Sequence, residues 1–203
     1  MKNRTSREPF RDRARAEILT LALSIVAKEG LQGLQARRIA REAGCSVGSL
    51  YNIFGDLDGL VIAANVETVA ALEKALLASF SATEGQPIDA RLLDLALAYS
   101  RFALENLNLW RAIFAHRLPP NQDVPPSYRA DQARLLSLIS TIIADEISDR
   151  KLRDRAARAL FAAVHGIVAL AIDSKLEAFE EARMQDEVRF IVKAAAAGLK
   201  SAM

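Results

Sequence analysis

Apolar residues recur at intervals of three and four along almost the whole chain of 203 residues, and no stretch alternates apolar with polar over the length of a strand. That periodicity belongs to helices with one buried face. Glycine and proline punctuate it at Gly30 and Gly33, Gly44 and Gly48, Gly55 and Gly59, Gly85 with Pro87, and through a loop from Pro119 to Pro126. The intervals predict nine helices, near 8–29, 36–43, 47–53, 57–82, 88–105, 107–117, 127–147, 151–173 and 178–200. The expected fold class is all-α, with a head of three short helices over residues 1–55 and a larger helical body over 56–203.

Within the head, residues 36–53 meet the spatial demands of a helix-turn-helix. Small Ala40 stands where two helices cross, and Gly44 follows four residues later, where the turn needs a left-handed backbone. Ile39, Ala43, Leu50 and Ile53 fall on the inner faces, and Ser46 stands where its hydroxyl can cap the second helix. The outward positions of that helix are Val47, Gly48, Ser49, Tyr51 and Asn52, small or hydrogen-bonding groups that let a helix enter a DNA major groove. The alternative is an ordinary helical hairpin with a glycine turn.

Charge favours the DNA reading. Residues 1–55 hold ten Lys and Arg against five Asp and Glu, whereas residues 56–203 hold seventeen against twenty. A basic head on a mildly acidic body points to an anionic partner for the head alone, nucleic acid or a membrane surface. Composition removes other classes. A chain that is 51% hydrophobic and 26% charged is not a disordered tail, and one cysteine with two histidines builds neither an internal disulfide nor a structural zinc site. No cofactor or metal is expected. The first residues are charged where an export signal needs an apolar stretch, and the longest uncharged apolar run, Ala159 to Ile172, is too short to span a bilayer. A soluble, cytoplasmic protein with no membrane partner is the expectation.

Ile18-Leu19-x-x-Ala22, Gly30, Ile39-Ala40-x-x-Ala43-Gly44-Cys45-Ser46, Gly48-Ser49-Leu50-Tyr51-x-x-Phe54 and Leu60 together resemble the TetR family of transcriptional regulators over residues 11–60. Two positions depart from the family's pattern. Gln35-Ala36 replaces the threonine that often opens the second helix, and Leu57 replaces the lysine that commonly begins the fourth and contacts phosphate, which leaves Arg37, Arg38 and Arg41 to carry backbone contacts. The resemblance implies that Gln35, Arg37, Ser46, Val47, Gly48, Ser49, Tyr51 and Asn52 touch DNA. Arg37 would reach a base edge or phosphate, Tyr51 would offer its phenol to phosphate, and Val47 would meet a thymine methyl. Phe54 reads better as packing.

Gly44-Cys45-Ser46-Val47-Gly48 also matches the G-x-S-x-G elbow of serine hydrolases. That elbow needs a strand before it and a histidine base after it. The preceding residues read as helix, and only His116 and His165 could serve, so an enzyme is not expected. Cys45 reads as a core thiol by its apolar spacing.

The body holds a run apolar on every face, from Ala159 to Ile172, and a last helix with Val188, Ile191, Val192, Ala195 and Leu199 on one stripe. The resemblance implies that these helices form a four-helix dimer bundle, with Phe161, Val164, Gly166, Val168, Val188, Ile191, Val192 and Ala195 at the interface. A two-fold dimer would double the few base pairs that one reading helix covers. The resemblance also implies an effector pocket around Tyr99, Phe102, Trp110, Phe114, His116 and His165, for an apolar or aromatic small molecule. The function expected is a ligand-responsive regulator, a repressor, that binds a palindromic operator in double-stranded DNA as a homodimer and is released by its effector. The alternative is a helical protein-interaction module with a basic head.

Overall fold

The computed structural model describes residues 7–118, 123, 125–175 and 178–201. Among the described residues it holds nine α-helices and no strand: α1 (Arg7–Glu29), α2 (Ala36–Glu42), α3 (Val47–Phe54), α4 (Leu57–Ala82), α5 (Ile88–Glu105), α6 (Leu107–Ala115), α7 (Pro126–Ile142), α8 (Arg150–Ile172) and α9 (Glu181–Ser201). A short 3-10 turn, Leu31–Gly33, follows α1. The all-α expectation holds. The loop expected at Pro119 to Pro126 lies largely outside the described residues.

The largest departure from the expected boundaries is at α7, which ends at Ile142 rather than near 147. Apolar spacing continues through Ile139, Ile142, Ile143 and Ile147, so periodicity sees no break. The chain leaves the helix through tight turns, with Ala144 N–H donating to Thr141 O and Glu146 N–H to Ile143 O. Ile143 and Ile147 stay buried across the turn, and Asp149 then caps α8 by accepting from the Lys151 and Leu152 N–H groups.

The chain divides into two compact units. The first comprises Met1–Val69 with Asn106–Val124, and the second Ala70–Glu105 with Pro125–Met203. Helix α4 contributes residues to both. The first unit has one core, in which Ile18, Ala22, Ile25 and Val26 of α1 meet Ile39, Leu50, Leu60 and Ala112. Helix α6 is tied in by polar contacts: Asn108 Nδ2 donates to Ala27 O at 3.0 Å, and buried Asn65 of α4 donates to Ala112 O at 3.2 Å.

In the second unit α9 packs against α5 and α8, and α7 against α8. This packing corrects part of the expected dimer surface. Val164 and Val168 of α8 and Val188 and Val192 of α9 are buried in the unit's own core, so their faces are already occupied. Phe161, Gly166, Ile191 and Ala195 are half-buried. The opposite faces are open and set apolar groups among charged ones: Leu152 and Leu170 of α8 are 48% and 42% exposed, with Arg155, Ala159 and Ala162 exposed between them, and Phe190 of α9 is 75% exposed, with Asp186, Glu187 and Lys193 exposed on the same helix. Helix α8 is long and apolar enough to cross a membrane by length and composition alone. Its two apolar faces have a simpler use, one in the core and one at the surface.

Candidate nucleic-acid interface

The α2–α3 corner is built by backbone chemistry that a few residues dictate. Gly44 takes φ 65°, a left-handed conformation that costs a side-chain-bearing residue more, and it ends α2. Cys45 N–H then donates to Ala40 O at 2.8 Å and Gly44 N–H to Arg41 O at 3.2 Å, the paired bonds of a Schellman motif. Ser46 opens α3: its Oγ accepts from Ser49 N–H at 3.0 Å and lies 2.9 Å from Ser49 Oγ. Ile39 and Leu50 are buried in the core that α1 lines, and Ile53 and Phe54 are half-buried against it, which leaves the other side of α3 outside.

The residues read as DNA contacts come together on that outside. Ser46, Gly48, Ser49, Tyr51 and Asn52 are exposed along α3, Val47 is half-buried, and Gln35 and Arg37 are exposed at the start of α2. Phe54 is half-buried against the head's core, as its packing role requires.

The three arginines of α2 do not behave alike. Arg38 binds Glu29 in bidentate fashion, Nη1 to Oε2 at 2.6 Å and Nη2 to Oε1 at 2.7 Å, and its Nε donates to Glu42 Oε1 at 2.9 Å. These hydrogen bonds raise the guanidinium's pKa and hold the Glu29 carboxyl below its usual range. Arg38 is thus a clasp between α1 and α2, whereas Arg37 and Arg41 are exposed and face no carboxylate among the described side chains. Two arginines of α1 also reach α3. Arg11 Nη2 donates to Asn52 O at 3.1 Å, and the Arg15 guanidinium lies 5.2 Å from the centroid of the Phe54 ring. No periodicity signals them, because they stand on the solvent face of α1.

Ser46 does not stand on the strand-to-helix turn that a hydrolase elbow needs. Helix α2 precedes Ser46, and its Oγ is engaged in capping. The histidines are bonded elsewhere: His116 Nε2 lies 2.8 Å from Asp58 Oδ1, and His165 Nδ1 lies 2.7 Å from the Tyr99 hydroxyl. Among the described residues no group of three or more His, Cys, Asp or Glu could hold a metal ion.

The six residues read as an effector pocket fall into both units. Tyr99, Phe102 and His165 belong to the second, where Phe161 stacks on His165 with centroids 5.6 Å apart and meets Tyr99 edge-on at 5.7 Å. Burial lowers the pKa of His165 below its usual value, because a desolvated site disfavours the charged ring. Trp110, Phe114 and His116 belong to the first unit, with the Trp110 and Phe114 rings 5.3 Å apart. A cleft of about 620 Å³ between α7 and α8 is lined by neither set; its polar rim includes Arg134, Ser137, Ser140, Arg153 and Arg158.

Comparison with known proteins agrees with this geometry. The family model described as "Bacterial regulatory proteins, tetR family" matches residues 18–64, and that described as "Tetracyclin repressor-like, C-terminal domain" matches residues 92–194. No curated protein matches the chain. Among solved structures, a protein of unknown function from Rhodococcus sp. RHA1 superposes with TM-score 0.75 at 25% identity, over 92% of this chain and 95% of that one. A TetR-family regulator structure from Mesorhizobium loti MAFF303099 superposes with TM-score 0.66 at 20% identity, over 97% and 98% of the two chains. The TetR-family regulator PfmR from Thermus thermophilus gives 0.60 at 16% identity, over 89% and 97%.

Proposed function

The chain belongs to the TetR family of bacterial regulators, and on that premise we propose that it is a ligand-responsive transcriptional repressor that binds a palindromic operator as a homodimer. The observation that carries the reading is the exposed face of α3, where Gly48, Ser49, Tyr51 and Asn52 project from a helix fixed by a glycine turn and a serine cap. Such a helix enters a major groove without steric obstruction, and Arg37 and Arg41 supply cations for the flanking phosphates.

Dimerisation uses the open faces of α8 and α9. Ala159, Ala162 and Gly166 permit close helix approach, and Leu170 and Phe190 lose their exposure in the assembly. The two reading helices then enter successive major grooves about 34 to 36 Å apart. An apolar or aromatic effector near Tyr99, Phe102 and His165 acts by favouring a different spacing of the heads, and it does so only as far as it binds the two states unequally.

The test is fluorescence anisotropy of the purified protein with a labelled duplex carrying the DNA upstream of its own gene. Binding of the wild type that weakens at least about tenfold in Tyr51→Ala, with the thermal melt unchanged, is expected from loss of one contact per half-site. Failure of the wild type to bind leaves the interaction-module reading in its place.

A further inference from the structure

We propose that Arg11 of α1 is part of the DNA interface, a phosphate contact held at the C-terminal end of the reading helix. The inference rests on the DNA-binding reading and extends it to a helix outside the helix-turn-helix.

Helix α3 is eight residues long, and its last carbonyls point toward Gly55. That end carries the helix's partial negative charge, and a phosphate beside it would meet repulsion. Arg11 answers both problems. One N–H of its guanidinium satisfies the Asn52 carbonyl, and its positive charge opposes the partial negative charge of that helix end. Arginine has five N–H donors in a planar fork, so donors beyond the one on the Asn52 carbonyl remain for an outside anion.

The neighbours on α1 sharpen the assignment. Arg13 is engaged with Glu17, Nε to Oε1 at 2.9 Å, and no described atom of α3 is bonded to it. Arg15 is laid over the Phe54 ring. Arg11 is exposed and is paired with no carboxylate among the described side chains, so its charge is available to an outside anion. Anchored to a backbone carbonyl, it has less side-chain freedom to lose on binding than a solvated arginine has.

The experiment uses the full-length protein and the same labelled upstream duplex, titrated at several salt concentrations. Arg11→Gln keeps an N–H donor but removes the charge, Arg11→Lys keeps the charge, and Arg13→Gln removes an equal charge from the same helix. Arg11→Gln should weaken binding at least about tenfold and lower the magnitude of the log–log salt slope by about two for the dimer, since one phosphate per subunit is no longer neutralised. Arg11→Lys and Arg13→Gln should keep the wild-type slope. An Arg11→Gln protein that binds with the wild-type slope overturns the proposal and leaves Arg11 as a prop for α3. A wild type that binds no DNA would instead sink the function on which the proposal depends.

Discussion

Arg37 and Arg38 are neighbours on α2 and do different work, because a helix turns about 100° per residue and only one of them faces the end of α1. Arg38 is held by Glu29 and Glu42, while Arg37 is exposed. Replacing Arg37 by Ala should cut DNA affinity about tenfold or more and leave the melting temperature unchanged. Replacing Arg38 by Ala should lower the melting temperature, because two glutamates lose their partner. Parallel melts and DNA titrations of the two variants read both effects, and a reversed pattern would contradict the assignment. His165 makes a pH prediction at the same scale. Its folded pKa lies below the ordinary 6.5 through burial, so below that pH the unfolded chain takes up a proton that the folded chain resists. Stability should therefore be level above about pH 7 and fall as the solution is acidified through the range just below 6.5. Denaturant midpoints across that range should fall less steeply in His165→Asn, whose amide oxygen takes the place of Nδ1 beside the Tyr99 hydroxyl.

Where α3 gives way to α4 the two helices' backbones come close together. Asp56 caps α4, its Oδ1 accepting from Gly59 N–H at 2.7 Å, and the bond draws Gly59 onto the end of α3. A Cβ on Gly59 would collide with the Phe54 carbonyl oxygen, which is backbone and cannot swing aside. Gly59→Ala should therefore destabilise the fold by about 1 to 3 kcal/mol, although alanine is the better helix former. Urea denaturation of variant and wild type checks the sign: a neutral or stabilised variant would mean that the α3–α4 junction is looser than described.

At the scale of the whole molecule, the outer faces of α8 and α9 leave Leu152, Leu170 and Phe190 exposed. A Cβ at Gly166 meets nothing within 4 Å in the isolated chain. Gly166→Leu should leave each chain folded and hold two chains apart, since a leucine in a close helix crossing costs about 1 to 3 kcal/mol per site and two-fold symmetry counts it twice. Sedimentation should give about twice 22.2 kDa for the wild type and a shift toward 22.2 kDa for the variant. A wild type that is monomeric at low micromolar concentration, or a variant that remains dimeric, defeats this role for the helix.

Local rules alone determined the helices apart from the end of α7, the turn at Gly44, the cap at Ser46 and the inward positions Ile39, Ala43, Leu50 and Ile53, of which Ile39 and Leu50 are buried and Ala43 and Ile53 half-buried, because each depends on residues within one or two helical turns. The same rules could not sort the arginines. Arg38 finds Glu29 nine positions away, and Arg11 finds the Asn52 carbonyl forty-one away, only once α1, α2 and α3 have packed. Nor could an apolar stripe say which side of it would be covered by its own chain. Val164, Val168, Val188 and Val192 have the spacing of an interface, and the fold spends them on its own core. Burial is decided by how many faces the neighbouring helices occupy, and that number is a property of the assembled tertiary structure.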